Sequence, residues 1–128
     1  MTKSLKEGVI AVDAKVLIFK CTRVNQLFGV RVQRMEDRDW WRTWAFKINS
    51  QIATSEGYDK NQIQGNLYAT EEYPGCPYCG TEDFVQCGYC KKVSCWHQEK
   101  SLVCSWCGFQ MENIRTATEK FGVSYESF

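Results

Sequence analysis

The sequence predicts a small α+β protein: a β-rich N-terminal meander with a short helix, followed by a compact cysteine-rich module. Three observations lead there. The chain has 128 residues, room for one domain or two very small ones. Its hydrophobic content is 44% and its aromatic content 14%, enough for a core and too much for a disordered chain. Seven of its eight cysteines crowd between Cys76 and Cys107, while Cys21 stands apart.

The strands follow from their side-chain patterns. Lys15–Cys21 (KVLIFKC) is apolar and β-branched enough for a buried strand, and Thr22–Gln26 is polar enough to turn the chain. Leu27–Met35 alternates, with Phe28, Val30 and Val32 on one side and Arg31 and Gln33 on the other. Glu36–Asp39 is a charged turn. Trp40–Ile48 offers a third strand, with Trp44, Phe46 and Ile48 on one face and Trp41, Thr43, Ala45 and Lys47 on the other. Asn49–Glu56 fits a short helix, capped by Asn49 or Ser50 and ended by Gly57. Gln62–Ala69 is a fourth strand, broken at Gly65. The Pro74-Gly75 turn then separates a β-rich unit, residues 1–72, from a cysteine-rich module with its C-terminal tail, residues 73–128. Glu112–Phe121 has weak helical character with Gly122 as a stop.

Apolar runs such as Val16–Phe19 reach only four residues, far short of a membrane span. Asp13 and Lys15 interrupt the apolar stretch around Val9–Val12, so Met1–Lys6 is followed by no signal-peptide segment, and a cytoplasmic protein is expected. Without export, clustered cysteines point to metal ligation rather than a disulfide framework.

Three pairs are C-x-x-C: Cys76/Cys79, Cys87/Cys90 and Cys104/Cys107. Such a turn brings two sulfurs onto one ion, and tetrahedral zinc takes four. Gly80 and Gly108 follow two of the pairs, where glycine lets the chain turn and aim N–H groups at the thiolates. Cys87, Cys90, Cys95 and His97 read C-x2-C-x4-C-x-H, so with the outer knuckles there are four ligand pairs in order, enough for two zinc ions. A cross-brace joins pairs one and three, then two and four. Sequential pairing and a nested zinc ribbon are the other schemes, and the short C-x4-C step favours the cross-brace. His97 serves as the eighth ligand if it continues a strand from Cys95, since alternate residues share a face. Cys21 is its rival, and is otherwise a small buried hydrophobe at a strand end.

No catalytic residue is expected. Glu82, Asp83 and Glu99 lie near the cysteines but read as solvated loop charges, and a thiolate-filled zinc has no open position. The nucleotide loops G-x-G-x-x-G and G-x-x-x-x-G-K-[ST] are absent, as is a thioredoxin-like context for redox chemistry. Charge is unevenly spread: residues 1–47 hold ten Lys/Arg against five Asp/Glu, a formal +5, and residues 48–128 hold six against ten, −4. Seven thiolates on two divalent ions take the total from +1 to −2, which disfavours a nucleic-acid backbone as partner. A zinc-ribbon nucleic-acid binder remains the alternative.

Taken together, Leu27–Val32 (LFGVRV), Asp39–Ile48 (DWWRTWAFKI), Glu56–Asp59 (EGYD), Ile63–Gly65 (IQG) and Tyr73–Gly80 (YPGCPYCG) resemble the TerY-C metal-binding domain. The resemblance continues through Cys87, Cys90 and Cys95 to Cys104–Gly108 (CSWCG), covering residues 16–108. In that family the domain follows a von Willebrand factor A domain in bacterial tellurite-resistance and stress-response proteins, encoded beside a protein phosphatase and a protein kinase. The resemblance implies a zinc-stabilised protein-interaction module of a signalling complex. The chain has no von Willebrand domain and no D-x-S-x-S motif, which makes it a stand-alone version or an excised C-terminal piece. Lys91 and Ser105 stand where the family pattern has the Gly of C-G-K and the Pro of C-P-W-C-G; the first is expected to loosen the middle knuckle.

Trp40, Trp41 and Trp44 are expected to pack a core, with Trp41 the one most exposed and Arg31, Arg34, Arg38 and Arg42 forming a basic cluster beside it. Trp96 and Trp106 flank ligands and are expected to shield the metal from water.

Overall fold

The computed structural model describes residues 13–35, 39–63, 65–114 and 123–125. Strands β1 (Ala14–Cys21), β2 (Gln26–Met35) and β3 (Asp39–Lys47) form an antiparallel meander. Asn25 closes the first hairpin at φ 60, a conformation asparagine tolerates, with its N–H donating to the Cys21 carbonyl at 2.8 Å. Alternation along β2 buries Phe28, Val30 and Val32 as expected.

In β3 the expected faces change partway. Arg31 pairs with Trp44 and Val32 with Arg42, so Thr43 is an extra residue and the strand bulges. Before the bulge Trp40 and Arg42 face the core; after it Ala45 does. Trp44 is therefore turned outward and is 52% exposed, while Trp41 is half-buried against Tyr68 at 4.9 Å between rings. This corrects the expectation that Trp44 packs inside, since strict period two cannot anticipate an inserted residue, and that Trp41 is the more exposed, since the Tyr68 ring covers it. Gly29, opposite Phe46, leaves room for the Phe46 ring, which a Cβ would approach to 2.6 Å and displace.

Helix α1 (Ser50–Ser55) begins where the Asn49 side chain accepts the Ile52 N–H at 2.8 Å, and the chain turns away at Gly57 with φ 76. The helix and a 3-10 turn at Tyr58–Lys60 lead into β4 (Gly65–Ala69), which pairs in parallel with β3. Asn61 ties this crossover to β1 by donating to the Val16 carbonyl at 2.8 Å.

Strands β5 (Phe84–Gln86) and β6 (Val93–Cys95) form a hairpin, and β6 adds in parallel to the free side of β1. With β9 (Val123–Tyr125) beside β4, the described strands form one sheet in the order β5-β6-β1-β2-β3-β4-β9. Strands from both sides of residue 73 therefore share it. Strands β7 (Leu102–Val103) and β8 (Gln110–Met111) form a separate two-stranded sheet. Among the described residues the architecture is β-rich with one short α-helix. Residues 36–38 of the expected charged turn and most of the helix expected over Glu112–Phe121 lie outside the described residues.

Arg42, 7% exposed, stitches the two parts together. Its guanidinium donates to the carbonyls of Tyr68 on β4 (3.1 Å) and Glu82 beyond the first knuckle (2.6 Å), and lies over the rings of Tyr73 and Phe84. Burial against apolar neighbours pushes the Tyr73 phenol up to about 12, although Arg42 pulls the other way.

Candidate metal centres

All three C-x-x-C segments fold into the same turn. In each, the first cysteine's N–H donates to the carbonyl five residues on: Cys76 to Thr81, Cys87 to Lys92 and Cys104 to Phe109, at 2.8 to 2.9 Å. The residue after the second cysteine donates back to the first cysteine's carbonyl and sits in the left-handed region: Gly80 (φ 82), Lys91 (φ 67) and Gly108 (φ 83). Lys91 thus adopts, with a side chain, the backbone its glycine counterparts adopt without strain. Gly75 is needed for a different reason: a Cβ there would stand 2.6 Å from the Gly80 carbonyl oxygen.

These turns aim N–H groups at sulfur. Cys76 Sγ accepts from Tyr78 (3.3 Å) and Cys79 (3.5 Å), Cys87 Sγ from Tyr89 (3.3 Å) and Cys90 (3.5 Å), and Cys104 Sγ from Trp106 (3.3 Å). The eight cysteines gather into two groups of four, with the sulfurs of each group within 4.8 Å of one another. Cys21, Cys76, Cys79 and Cys95 make the first centre; Cys87, Cys90, Cys104 and Cys107 make the second.

Both groups are compact enough to share one ion, and the distances in the second match a tetrahedron. A metal–sulfur bond of about 2.3 Å implies about 3.8 Å between sulfurs at the corners of a tetrahedron. In the second centre Cys87 and Cys107 lie 3.8 Å apart and Cys90 and Cys104 3.7 Å apart, while all eight thiols are free. The knuckles interleave: the first joins Cys95, and the second joins the third, which is the cross-brace order. Strand β6 carries the chain from the second centre to the first.

Electrostatics point the same way. Burial pushes the Cys87 thiol up, but the Cys90 and Tyr89 N–H groups and the neighbouring thiols outweigh it and bring it down to about 7. Burial raises Cys90 to about 12. In the first centre burial likewise opposes ionisation of Cys76, yet the Cys79 and Tyr78 N–H groups leave it below the ordinary thiol range. Cys79 and Cys95 are pushed up, first by burial and then by neighbouring thiols. In each group one thiol is held below the ordinary range while others are pushed above it, by burial first and by the neighbouring thiols after it. A divalent cation between them opposes both effects.

Cys21 fills the place for which His97 was the leading expectation. Strands β1 and β6 run parallel with Phe19 beside Val93 and Lys20 beside Ser94, so the next step brings Cys21 alongside Cys95 at the strand ends. Strand β6 stops at Cys95, so the same-face argument does not carry on to His97. The imidazole is half-buried, with Nε2 3.2 Å from Cys79 Sγ, where the Nε2–H tautomer can donate to a thiolate.

Trp96 is buried and donates through its indole N–H to the Glu99 carbonyl at 2.7 Å. Trp106 packs against the second centre, donates to the Val93 carbonyl at 2.9 Å, and is flanked by the ammonium groups of Lys20 and Lys92 at 5.1 and 4.9 Å from its ring. Glu82 and Asp83 are exposed. No helix among the described residues is long and apolar enough to cross a membrane. Comparison of the chain with protein-family models, with curated proteins and with solved structures finds no match.

Proposed function

We propose that the chain is a zinc-dependent, non-catalytic protein-interaction module of the TerY-C kind, acting in a bacterial stress or tellurite-resistance signalling system. The observation that carries this reading is the pair of four-thiol groups. Four thiolates fill every position of a tetrahedral zinc and leave none for water or substrate, so each ion acts as a cross-link. Soft sulfur donors in that geometry suit zinc, and zinc supplies no redox chemistry of its own.

Protein recognition is supported by what the zinc-braced sheet displays. Trp44 projects 52% exposed from β3, and its neighbour across the ladder is Arg31 on β2. Tryptophan and arginine are enriched where binding energy concentrates. The partners that the resemblance suggests are a von Willebrand A domain, a phosphatase or a kinase of the same system.

Calorimetric titration of the zinc-loaded chain with the von Willebrand A domain of a TerY-type protein tests this. A one-to-one complex is expected, weakened by more than about tenfold in Trp44→Ser. Failure to bind that domain, the phosphatase or the kinase, together with binding of oligonucleotides that collapses as salt rises, would make the protein a nucleic-acid binder instead.

A further inference from the structure

The two centres differ in access. In the first, Cys21, Cys76 and Cys95 are buried, and Cys79 is half-buried with the His97 imidazole against its sulfur. In the second, Cys87 and Cys104 are buried and Cys90 is half-buried, but Cys107 is exposed. It is the one exposed cysteine among the described residues. Its sulfur lies 3.8 Å from that of Cys87.

A metal-held sulfur is a thiolate, and thiolates that solvent can reach are the ones oxidants attack. We propose that the second centre is an oxidation site for hydroperoxides, with Cys107 as the attacking thiolate and Cys87 as the resolving one. The inference rests on the zinc reading above. The Cys107 sulfur attacks the distal oxygen of the hydroperoxide; an S–O bond forms, the O–O bond breaks, and the alkoxide leaves as an alcohol after taking a proton. The product is a sulfenic acid at Cys107. The Cys87 thiolate then attacks that sulfur; the S–S bond forms and hydroxide leaves as water after taking a second proton. Two sulfurs have lost two electrons and the peroxide has gained them. Only Cys90 and Cys104 remain as thiolate donors at that centre, too few to retain the ion, while the first centre keeps its four.

Native mass spectrometry of the zinc-loaded chain, before and after an equimolar addition of tert-butyl hydroperoxide, tests both layers separately. Two ions before oxidant support the zinc reading, and none would remove it together with this inference. After oxidant, the expected result is one ion per chain, a polypeptide mass two hydrogens below that of the fully reduced, metal-free chain, and a Cys87–Cys107 bridge in the peptide map. Cys107→His keeps a fourth donor while removing the accessible thiolate, and zinc release monitored with a chromogenic chelator should slow by at least about tenfold. In case that variant folds poorly, brief alkylation of the unaltered protein with iodoacetamide should label Cys107 first. Loss of both ions in step, a bridge among Cys21, Cys76, Cys79 and Cys95, or first labelling at another cysteine would overturn the proposal.

Discussion

The first centre lies in the main core, whereas the second organises a satellite. Cys21, Cys76 and Cys95 belong to the same buried cluster as Leu17, Phe19, Phe28, Val30 and Val32, and Cys79 packs against it. Cys87 and Cys104 belong to a smaller cluster with Met111, bordered by Leu102 and Trp106. The first joins positions 21 and 76, 55 residues apart, while the second bridges separations of 14 and 20. Loop-closure entropy alone separates 55 from 14 residues by only about 1 kcal/mol. The larger difference is in what an ion at each would hold: at the first, the end of β1, the first knuckle and the end of β6, and so the seam of the seven-stranded sheet. At the second it would fix two knuckles to each other. Two sites of identical donor chemistry can therefore have unequal structural weight, set by where their ligands sit in the core.

The largest expected effect breaks that comparison directly. Cys21→Ser removes a donor and leaves a hydroxyl at a position with no exposure, so stability should fall by more than about 4 kcal/mol, the range reached when a metal site is lost. Cys104→Ser should release one ion, yet leave the amide dispersion of β1 to β4 intact in a heteronuclear NMR spectrum. Equal collapse in both variants would mean that the two centres form one cooperative unit, and the contrast drawn here would be lost.

A smaller change sharpens it. Lys91 holds φ 67 at the point in the middle knuckle where the other two have glycine. Lys91→Gly should raise stability by about 0.5–1 kcal/mol and the melting temperature by a few degrees. The gain should appear as slower zinc loss from the second centre, with the first unchanged. A destabilising outcome would show that the Lys91 side chain contributes more than its backbone costs.

Much of this was legible in the sequence because its signals are local. C-x-x-C followed by a left-handed residue encodes a knuckle within six positions, and period-two runs such as Phe28, Val30 and Val32 encode a buried strand face. Asn49 and Gly57 likewise mark the two ends of α1. What stayed hidden is non-local. Nothing in KVLIFKC or VSC says that these strands lie side by side in parallel, yet that register is what brings Cys21 to Cys95. Both strands do end in cysteine, the one signal that could have raised Cys21 above its rival. The bulge at Thr43 is hidden for a similar reason: it is a property of the β2–β3 pairing, and it reverses the faces of a strand whose own pattern looks regular. Arg42, which reads as part of a basic surface cluster, is buried on the same face as Trp40, where carbonyls distant in the chain, of Tyr68 and Glu82, accept from its guanidinium.

X-ray absorption fine structure at the zinc edge of the loaded protein tests the central claim most directly, because it counts donor types around the ions. Two all-cysteine centres predict a single shell of four sulfurs per zinc at about 2.3 Å. A nitrogen shell at about 2.0–2.1 Å, averaging half an atom per zinc, would put His97 in place of Cys21 and contradict the account.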